Sequence, residues 1–156
     1  MKKNILMIVV LVIIDQIIKT IIFKTIGQSG NTVTLIPNIL ALNYVENIGG
    51  AFGILMTRIF LIGVNLMIIV TVWKLMVSKK YQFDKNAKFG MALIVAGGLG
   101  NVIDRIFRGY VIDYLDITEM FNYPVFNFAD ICIVIGVIIV MVTILINTVK
   151  SQESMK

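Results

Sequence analysis

Residues 89–107 read F-G-M-A-L-I-V-A-G-G-L-G-N-V-I-D-R-I-F, a stretch that begins as a membrane span and ends in an amide, an acid and a guanidinium. A hydrocarbon core about 30 Å thick takes roughly 20 helical residues, so this segment is long enough to cross one. An ionisable group near the middle of a span costs at least about 2.5 kcal/mol and normally faces a partner or a watery cavity. Gly97, Gly98 and Gly100 leave room for a second helix, or for an extended ligand, against the backbone. Such a segment needs protein around it, and the rest of the chain must supply that protein.

Three further apolar stretches do so, Ile5–Phe23, Ile59–Val77 and Phe128–Val149. Across 156 residues the chain is 58% hydrophobic and 15% charged, where soluble domains run at about 45–50% and about 25%. No Pro/Gly/Ser-rich linker, low-complexity tract or fixed-period repeat divides it. The expectation is one domain over 1–156, an all-α integral membrane bundle of four transmembrane helices. Lys2 and Lys3 ahead of the apolar run Ile5–Ile14 imitate a signal peptide. Asp15 and Lys19 follow in the same helix without a small-x-small cleavage pattern, so the segment is expected to stay.

Lys2, Lys3, Lys79, Lys80, Lys85, Lys88, Lys150 and Lys156 fall on one side of these spans, and Lys24, Arg58 and Arg108 on the other. The positive-inside rule then places both termini in the cytoplasm and the loops of about 24–58 and 108–127 outside. The first outer loop contains T-V-T-L-I-P-N-I-L-A-L-N-Y-V (32–45), whose β-branched, alternating character predicts a small extracytoplasmic β element. N-I-G-G-A-F-G (47–53) follows, either a connector or backbone that approaches a ligand closely.

Composition also removes whole classes of chemistry. With no histidine and a single cysteine, Cys132, the chain has no intrachain disulfide, no His-rich zinc site and no Ser-His or Cys-His triad. The net charge of +5 lies beside the spans without interleaved aromatics, which fits an anionic membrane surface rather than nucleic acid. Ser29, Ser78, Ser151 and Ser154 all lie outside the hydrophobic stretches, leaving Ser29 with Lys24 as the sole Ser-Lys pairing to consider.

The carboxylates remain. Asp15 and Lys19, four apart, share a helix face and are expected to pair, and they could also steady loops or substrate. Asn101, Asp104 and Arg105 occupy the last two turns of the third span, where Asp104 and Arg105 are expected to form a fixed ion pair. Asp113 lies just past that span and Asp130 at the start of the next, so topology brings both to one level. Two facing acids can share a proton and activate a water for attack on an amide. Plainer readings stand beside this one: Asn127 followed three residues later by an acid also caps a helix, and Asp113 could be a solvated loop acid like Asp116 and Glu119. Two other functions use the same residues. One is an ion- or proton-coupled carrier relaying through Asp15, Lys19, Asp104 and Arg105. The other is a non-enzymatic assembly factor whose polar groups hold helices together.

Five motifs in order, D-Q-I-I-K (15–19), N-I-G-G-A-F-G (47–53), G-L-G-N-V-I-D-R (98–105), G-Y-V-I-D (109–113) and F-N-F-A-D (126–130), resemble those of the bacterial lipoprotein signal peptidases over nearly the whole chain. The resemblance implies an aspartic endopeptidase of the bacterial inner membrane, active at the outer face, that cuts prolipoproteins before a diacylglyceryl-modified cysteine. It implies Asp113 and Asp130 as the catalytic pair and Asn127 as the residue orienting Asp130. Asp15, Lys19, Asn47, Asn101, Asp104 and Arg105 would shape or support the site, and a small sheet and flap would fall in the 24–58 stretch. It implies no metal or organic cofactor, membrane lipid as surroundings, and globomycin-type peptide antibiotics as inhibitors. Ala96, Gly98, Gly50 and Ile131 depart from the commonest family wording, which bears on pocket shape rather than on the pair of acids.

Overall fold

The computed structural model describes residues 1–49 and 57–153. Four helices carry it: α1 (Lys2–Ile22), α2 (Arg58–Val77), α3 (Lys85–Phe107) and α4 (Phe128–Glu153). Each is long and apolar enough to cross a membrane. They cover the four expected stretches but run further at several ends. α1 continues through a π-helical turn, Phe23–Gly27, so Lys24, expected in a loop, is helical. α3 begins at Lys85 rather than Phe89 because Asp84 caps it, its carboxylate accepting the Ala87 N–H at 2.7 Å.

The central helix is α3. In its most apolar stretch 72% of residues are buried inside the protein, against 22%, 17% and 22% for α1, α2 and α4. Its glycines divide among the three neighbours. A Cβ on Gly97 would run into the Ala129 carbonyl of α4. One on Gly98 would come within 2.9 Å of Ile69 on α2, and one on Gly100 within 2.5 Å of the Asp15 carboxylate on α1. The α3 backbone is therefore met closely by the backbone of α4 and by side chains of α1 and α2, so that van der Waals packing can hold the helices together, as it must where lipid offers no hydrophobic drive. α1 runs parallel to α3, matching Asn4 with Lys88 and Gln16 with Gly100. α2 and α4 run antiparallel to it, Arg58 reaching the Ile106 carbonyl and Gly136 meeting Gly90. Ile8, Ile69, Met76, Ala92 and Val95 form the core between them. The outward faces are apolar too, with Ile13, Ile17, Met67, Val134 and Met141 exposed, a surface that suits lipid rather than water.

Three antiparallel strands lie at one end of the bundle in the order β1 (Val33–Ile36), β2 (Leu40–Asn47), β3 (Val111–Asp116). Pro37 and Asn38 make the β1–β2 turn, with Asn38 at φ 60° and the Ile39 N–H bonded to the Ile36 carbonyl at 3.1 Å. The β element is thus not confined to the segment between α1 and α2, because its third strand comes from the segment between α3 and α4. β3 also places Asp113 in a strand with 2% exposure, which rules out a solvated loop acid. Alternation along β3 sends Ile112 and Tyr114 against Ile22 and Ile26, while Val111 and Asp113 line a cavity on the other face.

Candidate active site

The site is assembled where the end of α3, the strands β2 and β3, and the start of α4 converge. Phe126 bridges to Leu115 through two backbone bonds of 2.7 and 3.1 Å, and the Tyr114 hydroxyl accepts the Phe128 N–H at 3.2 Å. These contacts tie the entry of α4 to β3, and so Asp130 to Asp113. Between them lies a cavity of about 370 Å³ bordered by both acids, Asn47, Asn101, Arg105 and an apolar wall that includes Leu61, Val64 and Ile133.

A chain of buried amides sets the polarity of the cavity floor. Lys19 is fully buried, and its ammonium, with three protons to give, donates to Asp15 at 3.0 Å, Asp104 at 2.9 Å and Asn101 Oδ1 at 3.0 Å. With its oxygen turned to the ammonium, Asn101 must point its nitrogen the other way, and that nitrogen donates to Asp130 Oδ1 at 2.8 Å. Asn127 is fixed in the same manner. Its oxygen accepts the Asp130 N–H at 3.0 Å, so its nitrogen donates to Asn101 Oδ1 at 3.2 Å and to Asp113 Oδ1 at 2.6 Å. Asn47 donates to the second oxygen of Asp113 at 2.8 Å.

The helix-cap reading of Asn127 and Asp130 also holds, since the Asn127 N–H returns a bond to Asp130 Oδ2 at 3.1 Å. One pair of residues both starts α4 and borders the cavity. Asp113 is well buried, and burial is the main reason its carboxyl is pushed from 3.8 up to about 6, with the nearby Asp130 charge adding to the rise and the Asn47 and Asn127 amides opposing it. Asp130 is more open to the cavity.

The expected Asp104–Arg105 ion pair is absent among the described residues. Neighbours on a helix point about 100° apart, so they do not face each other. Asp104 instead pairs with Lys19 and with Arg108, one turn further on, and accepts the Ile112 N–H at 3.3 Å. Arg105 turns to the cavity, donating to the Asn101 carbonyl at 3.4 Å and the Gly49 carbonyl at 3.2 Å. Its charge acts on Asp113 and Asp130 rather than on its sequence neighbour alone. Residues 50–53 of the glycine-rich turn lie outside the described residues. Sequence reasoning does not single out Gln16 and Arg108, yet both touch Asp104, and the four-residue spacing of Asp104 and Arg108 is the available signal. Asn65 and Tyr123 also border the cavity.

Two acids converging on a polar-floored, apolar-walled cavity at one end of a membrane bundle define the outline of a membrane-embedded aspartic peptidase. A family model described as signal peptidase (SPase) II matches residues 7–146, and the chain belongs to that family. It is 39% identical to the lipoprotein signal peptidase of Lactococcus lactis over 93% of this chain and 96% of that protein. With that of Streptococcus pneumoniae it shares 36% identity over 92% and 94%. Two solved structures, each described as a bacterial membrane enzyme determined by the in meso method, are similar throughout. One gives a TM-score of 0.85 at 32% identity, covering 95% of this chain and 90% of that one. The other gives 0.82 at 33% identity, covering 93% and 94%. The protein is thus a multi-pass membrane enzyme.

Proposed function

We propose that Asp113 and Asp130 are the catalytic pair of this lipoprotein signal peptidase, which removes signal peptides from prolipoproteins by cutting before a diacylglyceryl-modified cysteine. The observation that carries this reading is the amide chain Lys19–Asn101–Asn127, which holds both carboxylates on one cavity. Charge balance gives further support: Lys19, Arg105 and Arg108 stand against Asp15, Asp104, Asp113 and Asp130, so a single proton on the pair balances the cluster.

The deeper Asp113 holds that proton and the more open Asp130 is the base. Asp130 takes a proton from water as the water oxygen bonds to the scissile carbonyl carbon, and Asp113 gives its proton to the carbonyl oxygen. Collapse of the tetrahedral intermediate breaks the C–N bond. The proton held by Asp130 goes to the leaving amine, and the hydroxyl proton returns to Asp113. Arg105 offsets the negative charge of the cluster, and the lipid-modified cysteine stays against the apolar wall. The chain works as one membrane domain of the bacterial inner membrane, with both termini cytoplasmic and the site at the outer face, where lipid-anchored precursors present the bond. Globomycin-type peptides would compete for the same cavity.

The test is cleavage of a diacylglyceryl-modified prolipoprotein peptide by the purified protein in detergent. The wild type should cut it, while Asp113→Asn and Asp130→Asn, folded by thermal melting, should lose at least 1,000-fold in rate, the scale seen when one member of a catalytic unit is removed. Robust cleavage by either variant would remove the pair from the mechanism.

A further inference from the structure

The other end of the bundle carries a second cavity, of about 630 Å³, between the starts of α1 and α3. Lys3, Lys85 and Lys88 line it together with the Asn4 amide, and Met7 and Phe89 form its apolar side. None of the three lysines has an ion pair among the described residues, so three cations border one pocket uncompensated. The nearest acid in sequence, Asp84, is already engaged by the Ala87 N–H at 2.7 Å and by Asn147 at 3.1 Å. From Lys88 to Asn101 α3 rises about 20 Å, so this pocket is remote from the catalytic cavity.

We propose that this pocket binds an anionic glycerophospholipid. The phosphate sits among Lys3, Lys85 and Lys88, and an acyl chain descends along Met7 and the half-exposed Phe89. Three observations single out a lipid over a soluble anion: the pocket lies where two membrane-crossing helices begin, Met7 and Phe89 give it an apolar wall beside the cations, and Phe89 is itself half-exposed. Charged side chains that ring a pocket at the end of a span are the usual recognition device for such headgroups. The bound lipid would pin α1 to α3, the two helices that share the Lys19 network.

Native mass spectrometry of the detergent-solubilised protein titrated with phosphatidylglycerol, phosphatidylcholine or soluble glycerol 3-phosphate tests this. The wild type should retain one phosphatidylglycerol in preference to phosphatidylcholine and hold glycerol 3-phosphate weakly. Lys3→Gln, Lys85→Gln and Lys88→Gln together should weaken retention on the order of fivefold per lysine replaced. The charge-matched control Lys74→Gln, Lys79→Gln, Lys80→Gln should leave it unchanged. Both triple variants should still cut substrate in neutral detergent, which reports that they are folded. Equal retention of the two lipids, an equal loss in the control, or glycerol 3-phosphate binding as tight as the lipid would each overturn the proposal.

Discussion

Lys19 illustrates how much one buried charge can organise. It neutralises Asp15 and Asp104 and fixes which atom of Asn101 faces Asp130. Lys19→Met should therefore cost about 3–5 kcal/mol of stability, because it leaves buried Asp15 without a counter-charge and Asp104 with Arg108 alone, and thermal melting in detergent will read the loss. Asp113 supplies the pH prediction. Its folded value of about 6 lies above the ordinary 3.8, so the proton that the proposed mechanism requires leaves the free protein as pH rises through about 6. Bound substrate excludes water from the cavity beside the carboxyl and disfavours its charged form. The alkaline limb of kcat/KM, which reports the free enzyme, should then fall at lower pH than the limb of kcat, which reports the complex. Coincident limbs would mean that the proton resides elsewhere.

Among elements, the four spans could be read from hydropathy and length, since nothing but lipid-facing helices explains runs such as I-L-M-I-V-V-L-V-I-I. The α3 glycines were legible as close-packing positions, though not which neighbour each one meets. That distinction predicts opposite signs for similar substitutions. Gly97→Ala collides with the Ala129 carbonyl and should destabilise by about 1–3 kcal/mol. At Gly63 on α2 an added Cβ meets nothing within 4 Å, and Gly63→Ala should stabilise by about 0.5–1 kcal/mol through helix propensity alone. Comparative melting of the two variants checks both signs. β3 was not legible, because it pairs with a strand more than sixty residues earlier and local pattern carries no register across that distance. The partners of Asp104 follow helical geometry rather than adjacency in sequence, since residues four apart share a face and neighbours do not. Asp113 and Asp130 could be paired from topology, whereas the amides between them emerge only once the helices are packed.

At the scale of the whole molecule, the proposed orientation has a direct readout. Cys132 is buried, so a cysteine introduced elsewhere reports alone. Ser29→Cys, near the sheet, should react with a membrane-impermeant thiol reagent in intact cells, and Ser78→Cys, between α2 and α3, only after permeabilisation. The reverse pattern would invert the topology and move the proposed catalytic cavity to the cytoplasmic side. The envelopment of α3 by its three neighbours also bears on how the chain is made. Alone in a bilayer, α3 would expose three glycines, an amide and two charges at one end, a poor passenger for release from the insertion machinery. α1, emerging from the ribosome before α3, already carries Lys19 ready to receive Asp104. Biogenesis of this enzyme should thus depend on α1 waiting at the translocon until α3 arrives, so that the catalytic floor forms during insertion rather than after it.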